Sequence, residues 1–139
     1  MIISLSGAEG AGKSTIAKML AAKLGWPRYY MGRIWREKAQ EKGLTLVEYQ
    51  KMGETDPSID REIDEYQKKL GETLDNFVIE GRTSWYFIPH SFKIFLDVSP
   101  EEGAKRIFWP EYSFFPPKVE LFSIYQRICD FKGPYEMKN

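Results

Sequence analysis

The sequence predicts an α/β three-layer sandwich, with helices on both faces of a parallel sheet. Three observations predict it. A β-branched apolar run, Ile2–Leu5, stops at Gly7, as a central parallel strand does. Helical periodicity follows at once, with Ile16, Leu20 and Leu24 recurring every four residues. Strand and helix patterns then alternate to about residue 108, which calls for crossover connections on a parallel sheet.

The elements follow in order. The first helix spans Lys13–Leu24, with Ala17, Met19 and Ala21 beside its stripe, and Gly25 is placed to stop it. A short second strand covers Arg28–Met31. Three helices come next: Arg33–Lys42 ending at Gly43, Leu46–Met52 with Thr45 as N-cap, and Ser58–Leu70. Asp56 or Ser58 caps the third, Pro57 stands at its entry, and Ile59, Ile63, Tyr66 and Leu70 form its apolar stripe. Asn76–Glu80 and Phe92–Val98 read as two more strands. Ser99–Phe108 reads as a helix with Ser99 as cap and Pro100 in its first turn.

Composition bounds the functions on offer. The 139 residues are enough for one domain with a real core, and 42% hydrophobic with 29% charged residues is ordinary for a globular protein. Twenty basic and twenty acidic side chains cancel, which argues against a nucleic-acid-coating surface or a polybasic membrane patch. Cys129 is the single cysteine, so no internal disulfide forms and a reducing, cytoplasmic compartment is expected. No apolar run reaches membrane-spanning length, and MIISLSG lacks the basic start of a secretion signal. The expectation is a monomer that works on small molecules, without nucleic-acid or membrane partners.

One motif carries the chemistry. Gly7-Ala8-Glu9-Gly10-Ala11-Gly12-Lys13-Ser14, followed by Thr15, fits G-x-x-x-x-G-K-[ST] without mismatch, between a strand and a helix. Its glycines let backbone N–H groups converge on a phosphate chain. Lys13 would bridge the β- and γ-phosphates and Ser14 would ligate Mg²⁺, while the helix that starts at Lys13 turns its positive end to the anion. The segment is therefore read as a P-loop, and the fold as a P-loop NTPase sandwich. No Asn-Lys-x-Asp occurs, so a guanine-reading GTPase is not favoured.

Three further clusters stand downstream. Glu80, Gly81 and Arg82 close a strand at its carboxyl end, where open α/β sheets place their ligand crevice. There Arg82 would grip a phosphate and Glu80 a metal-bound water; the plainer alternative is a surface ion pair between them. Gly32 opens a helix that carries Arg33 and Arg36, of which Arg36 is preferred as a contact to an acceptor phosphate. Asp56, Asp60 and Arg61 would hydrogen-bond a base or sugar, or else serve as helix capping.

Together, SLSGAEGAGKSTIAKMLAAKLG, YYMGRIWREKA, ETDPSIDREIDEYQ and NFVIEGRTSWY resemble the cytidylate kinases, especially their short archaeal-type branch, over about residues 1–108. The resemblance implies transfer of the γ-phosphoryl of ATP, with Mg²⁺, to CMP or dCMP. It implies a sheet in order 2-3-1-4, with a fifth strand that this chain does not clearly supply, and a helical acceptor-binding insertion over residues 32–72. Carried onto matching positions, Gly7–Thr15 hold ATP and Mg²⁺, Arg36 and Arg82 hold the acceptor phosphate, and Lys13, Arg36 and Arg82 are the expected catalytic residues. Gly32, Asp56, Asp60, Arg61 and Gly81 line the acceptor pocket, and Arg106 touches adenine or phosphate at the base of the lid.

The chain departs from that pattern after Phe108. Residues 109–139 hold eight aromatics and four prolines, with Lys118, Arg127, Lys132 and Lys138 as their basic residues, where the family has an arginine-rich lid. A divergent lid, a truncated or frame-shifted product, and a nucleotide-binding protein with little turnover all fit this tail. A kinase of another small metabolite on the same architecture is the further alternative.

Overall fold

The computed structural model describes residues 1–109; the expectations for the rest of the tail lie outside the described residues. β1 (Ile2–Gly7) runs through the centre of a parallel sheet, between β3 (Phe77–Glu80) and β4 (Phe92–Leu96). β2 (Arg28–Tyr30) lies outside β3, so the order is β2-β3-β1-β4, as the resemblance implies. β1 is buried from Ile2 to Ser6, as a central parallel strand is, and the buried Ser4 hydroxyl is satisfied by Ser91 at 2.8 Å.

The two faces of the sheet bury separate clusters. Ile3, Leu5, Val78 and Leu96 meet Ile16, Ala17, Leu20 and Ala21 of α1 (Lys13–Leu24) on one side. Ile2, Phe77 and Ile79 face Met31 and Ile34 of α2 (Met31–Glu41), and Ile63 and Leu70 of α4 (Pro57–Thr73), on the other. A third cluster, Ala39, Tyr49 and Ile59, seals α2 to α3 (Leu46–Thr55) and α4. Trp35 meets Tyr49 edge-on there, at 5.6 Å between ring centroids.

Local chemistry explains the helix ends. Gly25 closes α1 at φ 67°, a left-handed conformation that costs glycine little. Thr45 and Glu48 form a reciprocal capping box at α3. The Asp56 carboxylate accepts from the Ser58 N–H at 3.0 Å, with Pro57 in the first turn of α4. Ser99 likewise caps α6 (Pro100–Phe108) by accepting from the Glu102 N–H at 3.2 Å.

Several boundaries move. α2 begins at Met31 rather than Arg33, so it takes over the residue assigned to the end of β2. α3 runs on to Thr55 through Gly53, α4 reaches Thr73, and β4 stops at Leu96 rather than Val98. A short helix, α5 (Ser84–Phe87), was not foreseen. Of the residues beside the α1 stripe, Ala17 and Ala21 are buried while Met19 is 43% exposed. The buried stripe of α4 passes through Gln67 rather than Tyr66, which is only half-buried. No described helix is long and apolar enough to cross a membrane.

Thr45→Ala removes the side-chain half of the capping box, the Oγ1 that accepts from the Glu48 N–H, while the bond from the Thr45 N–H to Glu48 stays available; the loss is expected to cost about 1 kcal/mol. Urea denaturation checks this, and Thr45→Ser should restore most of the loss.

Candidate active site

The loop between β1 and α1 is shaped by contact with the layers behind it. Gly7 has φ 146°, and a Cβ there would stand 2.0 Å from the Leu96 carbonyl oxygen. Gly10, at φ 76°, presses on Gly103 of α6, so that a Cβ would fall 2.4 Å from the Gly103 carbonyl oxygen. Gly103 is buried and in turn faces the Glu9 carbonyl. The loop thus lies directly on β4 and α6. Sequence reading did not single out Gly103; its signal was a glycine inside a capped helix, a position where glycine costs stability without a packing reason.

Lys13 folds over the loop it follows. Its Nζ donates to the Gly7 and Ala8 carbonyls at 2.9 and 2.8 Å. Burial lowers its pKa; the Arg82 charge adds to that effect, while Glu9 and Glu80 oppose it. A partly desolvated ammonium beside a run of backbone N–H groups is a cradle for a polyanion.

Glu80 is the buried charge at the centre. It is 2% exposed, at the carboxyl end of β3, in register with Leu5 and Tyr30. Its Oε1 accepts from the Ser14 Oγ and from Arg28, each at 2.9 Å. Its Oε2 is buried and has no partner among the described residues. An orphaned carboxylate oxygen costs free energy unless something meets it. Next to the loop serine, that donor set suits a hard divalent cation held directly or through water. No cluster of three or more potential ligands occurs among the described residues, which is compatible with Mg²⁺, because that ion takes few protein ligands and completes its shell with phosphate and water.

A cleft of about 860 Å³ is lined by Ser14, Gly81 and Arg82, the partner and chain neighbours of Glu80, though not by Glu80 itself. One wall is the P-loop from Glu9 to Thr15. The lining continues with Tyr30 at the end of β2, Gly32, Trp35 and Arg36 of α2, and Leu46 and Gln50 of α3. Asp60, Ile63, Asp64 and Gln67 of α4 line it together with Gly81, Arg82 and Thr83. Lys13, Ser14, Gly32, Arg36, Asp60, Gly81 and Arg82 therefore share one cavity, from elements far apart in sequence.

Other expected site residues lie elsewhere. Asp56 is exposed and occupied as the cap of α4, and Arg61, also exposed, is not part of the cleft lining. Arg106 bonds Glu102 along α6 at 3.3 Å and the Gly10 carbonyl at 3.4 Å, so it braces the loop from behind. Arg33 points to solvent and pairs with Glu37 at 3.1 Å. The considered ion pair between Glu80 and Arg82 does not form: Glu80 takes Arg28, and Arg82 takes Glu9 across the cleft mouth. That second pair is exposed on both sides and contributes little to stability.

Tyr30, Trp35, Gln50, Asp64, Gln67 and Thr83 line the cleft without having been singled out. Gln67 carried a signal, as a polar residue on the inner side of an amphipathic helix. Ser84 donates to its Oε1 at 2.6 Å, and its Nε2 donates to Thr83 at 3.3 Å, so its amide is fixed. Asp64 is half-buried, and desolvation with the neighbouring Asp60 charge raises its pKa.

Comparison with known proteins places this site in a family context. Residues 2–108 match the model of the cytidylate kinase-like family. The chain is 38% identical to a cytidylate kinase of Methanobrevibacter smithii over 107 residues, which is 77% of this chain and 62% of that one. It is 39% identical to a cytidylate kinase of Archaeoglobus fulgidus over 77% of this chain and 60% of the relative. The chain thus spans about three fifths of the length of these curated relatives. Among solved structures, shikimate kinase from Bacteroides thetaiotaomicron superimposes with a TM-score of 0.61 at 20% identity, covering 97% of this chain and 81% of that one. A putative kinase from Chloroflexus aurantiacus gives 0.65 at 13% identity, with 94% of each chain covered. At those identities the structures share the fold.

Proposed function

The chain belongs to the cytidylate kinase-like family, and from that premise we propose that it transfers the γ-phosphoryl group of ATP to CMP or dCMP. The observation that carries this reading is one shared cleft. It is lined by Lys13 and Ser14 of the phosphate cradle together with Arg36 and Arg82, more cationic groups than one phosphate chain needs, which supports two phosphate-bearing ligands. A phosphate oxygen of the acceptor attacks the γ-phosphorus, the bond to the β–γ bridging oxygen breaks, and ADP leaves. The protein has little covalent chemistry to perform, so positioning and electrostatics carry the rate.

Roles follow from placement. The backbone of Gly7–Thr15 holds the triphosphate, and Lys13 leaves the Gly7 and Ala8 carbonyls for the β- and γ-phosphoryl oxygens. Ser14 and the buried, unpartnered Oε2 of Glu80 would hold Mg²⁺, which would supply neutralisation of phosphoryl charge there. Arg82 exchanges Glu9 for the reacting phosphates, a cheap exchange because the existing pair is solvated. Arg36 takes the acceptor phosphate, and Asp60, Asp64 and the fixed Gln67 amide supply acceptors and a donor for the nucleoside. The relatives' cytidylate kinase names support the choice of base.

Steady-state ADP production with ATP and Mg²⁺, run against CMP, dCMP, UMP, AMP and a phosphate-free acceptor such as shikimate, tests the proposal. Turnover should be confined to CMP and dCMP. A preference for shikimate or AMP would replace the proposed acceptor, and ATP binding without turnover on any acceptor would leave a nucleotide-binding protein. Arg36→Ala should raise the KM for CMP about tenfold or more, the worth of a charge-assisted phosphate contact, with the KM for ATP unchanged.

A further inference from the structure

Tyr30 stands where the two halves of the cleft meet. It ends β2 beside Glu80 in the sheet register, and its ring lies near two guanidinium groups. The Arg28 carbon is 5.8 Å from the ring centroid and the Arg36 carbon 5.7 Å. The first of these is anchored, because Arg28 donates to the buried Glu80 carboxylate at 2.9 Å. The second has no such tether: among the described residues no carboxylate pairs with Arg36, although its helix neighbours Arg33 and Lys38 both have acidic partners. Gly32 leaves room for the ring, since a Cβ there would come within 2.5 Å of the Tyr30 Cζ and Oη.

We propose that Tyr30 is a positioning residue that aims Arg36 at the acceptor phosphate. The inference rests on the role given to Arg36 above. A carboxylate would hold Arg36 by occupying its N–H donors and cancelling its charge. An aromatic face attracts the cation through its quadrupole and leaves the planar fork of donors free. The guanidinium is thereby oriented yet unneutralised, the state that best suits a phosphate dianion. Arg28 completes the device by fixing the ring from the Glu80 side, so that the orientation of Arg36 is referred to the same carboxylate that sits beside Ser14.

Calorimetric titration of the full chain with CMP, and separately with ATP, tests this in Tyr30→Phe, Tyr30→Leu, Arg36→Ala and the Tyr30→Leu/Arg36→Ala double variant. Tyr30→Phe keeps the ring and should bind CMP within about twofold of the parent. Tyr30→Leu should weaken CMP binding about 3- to 10-fold, with ATP affinity and thermal midpoint unchanged. In the Arg36→Ala background it should add nothing, since the group it aims is gone. Undiminished CMP binding by Tyr30→Leu, or a penalty that adds in full to that of Arg36→Ala, overturns the inference while leaving the CMP reading intact. A parent chain that binds ATP but not CMP removes both.

Discussion

Lys13→Ala is expected to abolish phosphoryl transfer while leaving the fold in place. Lys13 is the cationic residue of the P-loop, and its Nζ already sits on two loop carbonyls. Removing a preorganised positive group from charge that develops in the transition state costs about 10³-fold or more in kcat/KM. The structural consequence runs the other way. Desolvation lowers the Lys13 pKa, so its charged form is disfavoured by folding; that penalty applies at neutral pH and fades only as pH rises through the lowered value. Alanine removes the penalty together with two hydrogen bonds, and the thermal midpoint should stay within about 4 °C of the parent. A variant that keeps more than about a tenth of the activity would show that the cradle is not where transfer occurs.

The largest stability effect is expected at Gly7. A Cβ added there meets backbone, not a movable side chain: the Leu96 oxygen, carbon and nitrogen all lie within 2.8 Å. β1 and β4 cannot separate to make room without losing the pairing of Gly7 with Leu96 and the Ala8 N–H bond to the Leu96 carbonyl at 3.0 Å. Strain at positive φ and overpacking together should cost about 3 kcal/mol or more. Gly25→Ala is the control. It shares the positive φ, at 67°, but has nothing within 4 Å of the new Cβ, so about 1 kcal/mol is expected. Chemical denaturation of the two variants separates steric from conformational cost. Equal losses would refute the close approach of β4 to the loop.

Much of this architecture was legible because it rests on local patterns. The P-loop is a contiguous motif with the strand and helix it requires, and the caps at Thr45, Asp56 and Ser99 use short-range side-chain chemistry. Arg36 and Arg33 were separable in principle, since Glu37 lies one helical turn beyond Arg33 and occupies it. What was not legible depends on contacts between distant segments. The partners of Glu80 come from Ser14 and Arg28, 66 and 52 residues away. The bond from Arg82 to Glu9 spans 73 residues. Tyr30 looked like an ordinary strand aromatic until the sheet placed it beside Glu80. The helix α5, four residues long, buries only Ser84, so it leaves no periodic signal. The nucleotide contact expected of Arg106 came from the family resemblance, which sets it at the base of the lid. Arg106 does reach the loop, at the Gly10 carbonyl rather than in the cleft.

Label transfer tests the central claim most directly. The chain is incubated with γ-³²P-labelled ATP, Mg²⁺ and CMP, and the products are separated. The account predicts label in CDP, with matching unlabelled ADP, and no labelled CDP from Lys13→Ala. Label that appears only in inorganic phosphate, or none transferred while ATP still binds, would contradict it.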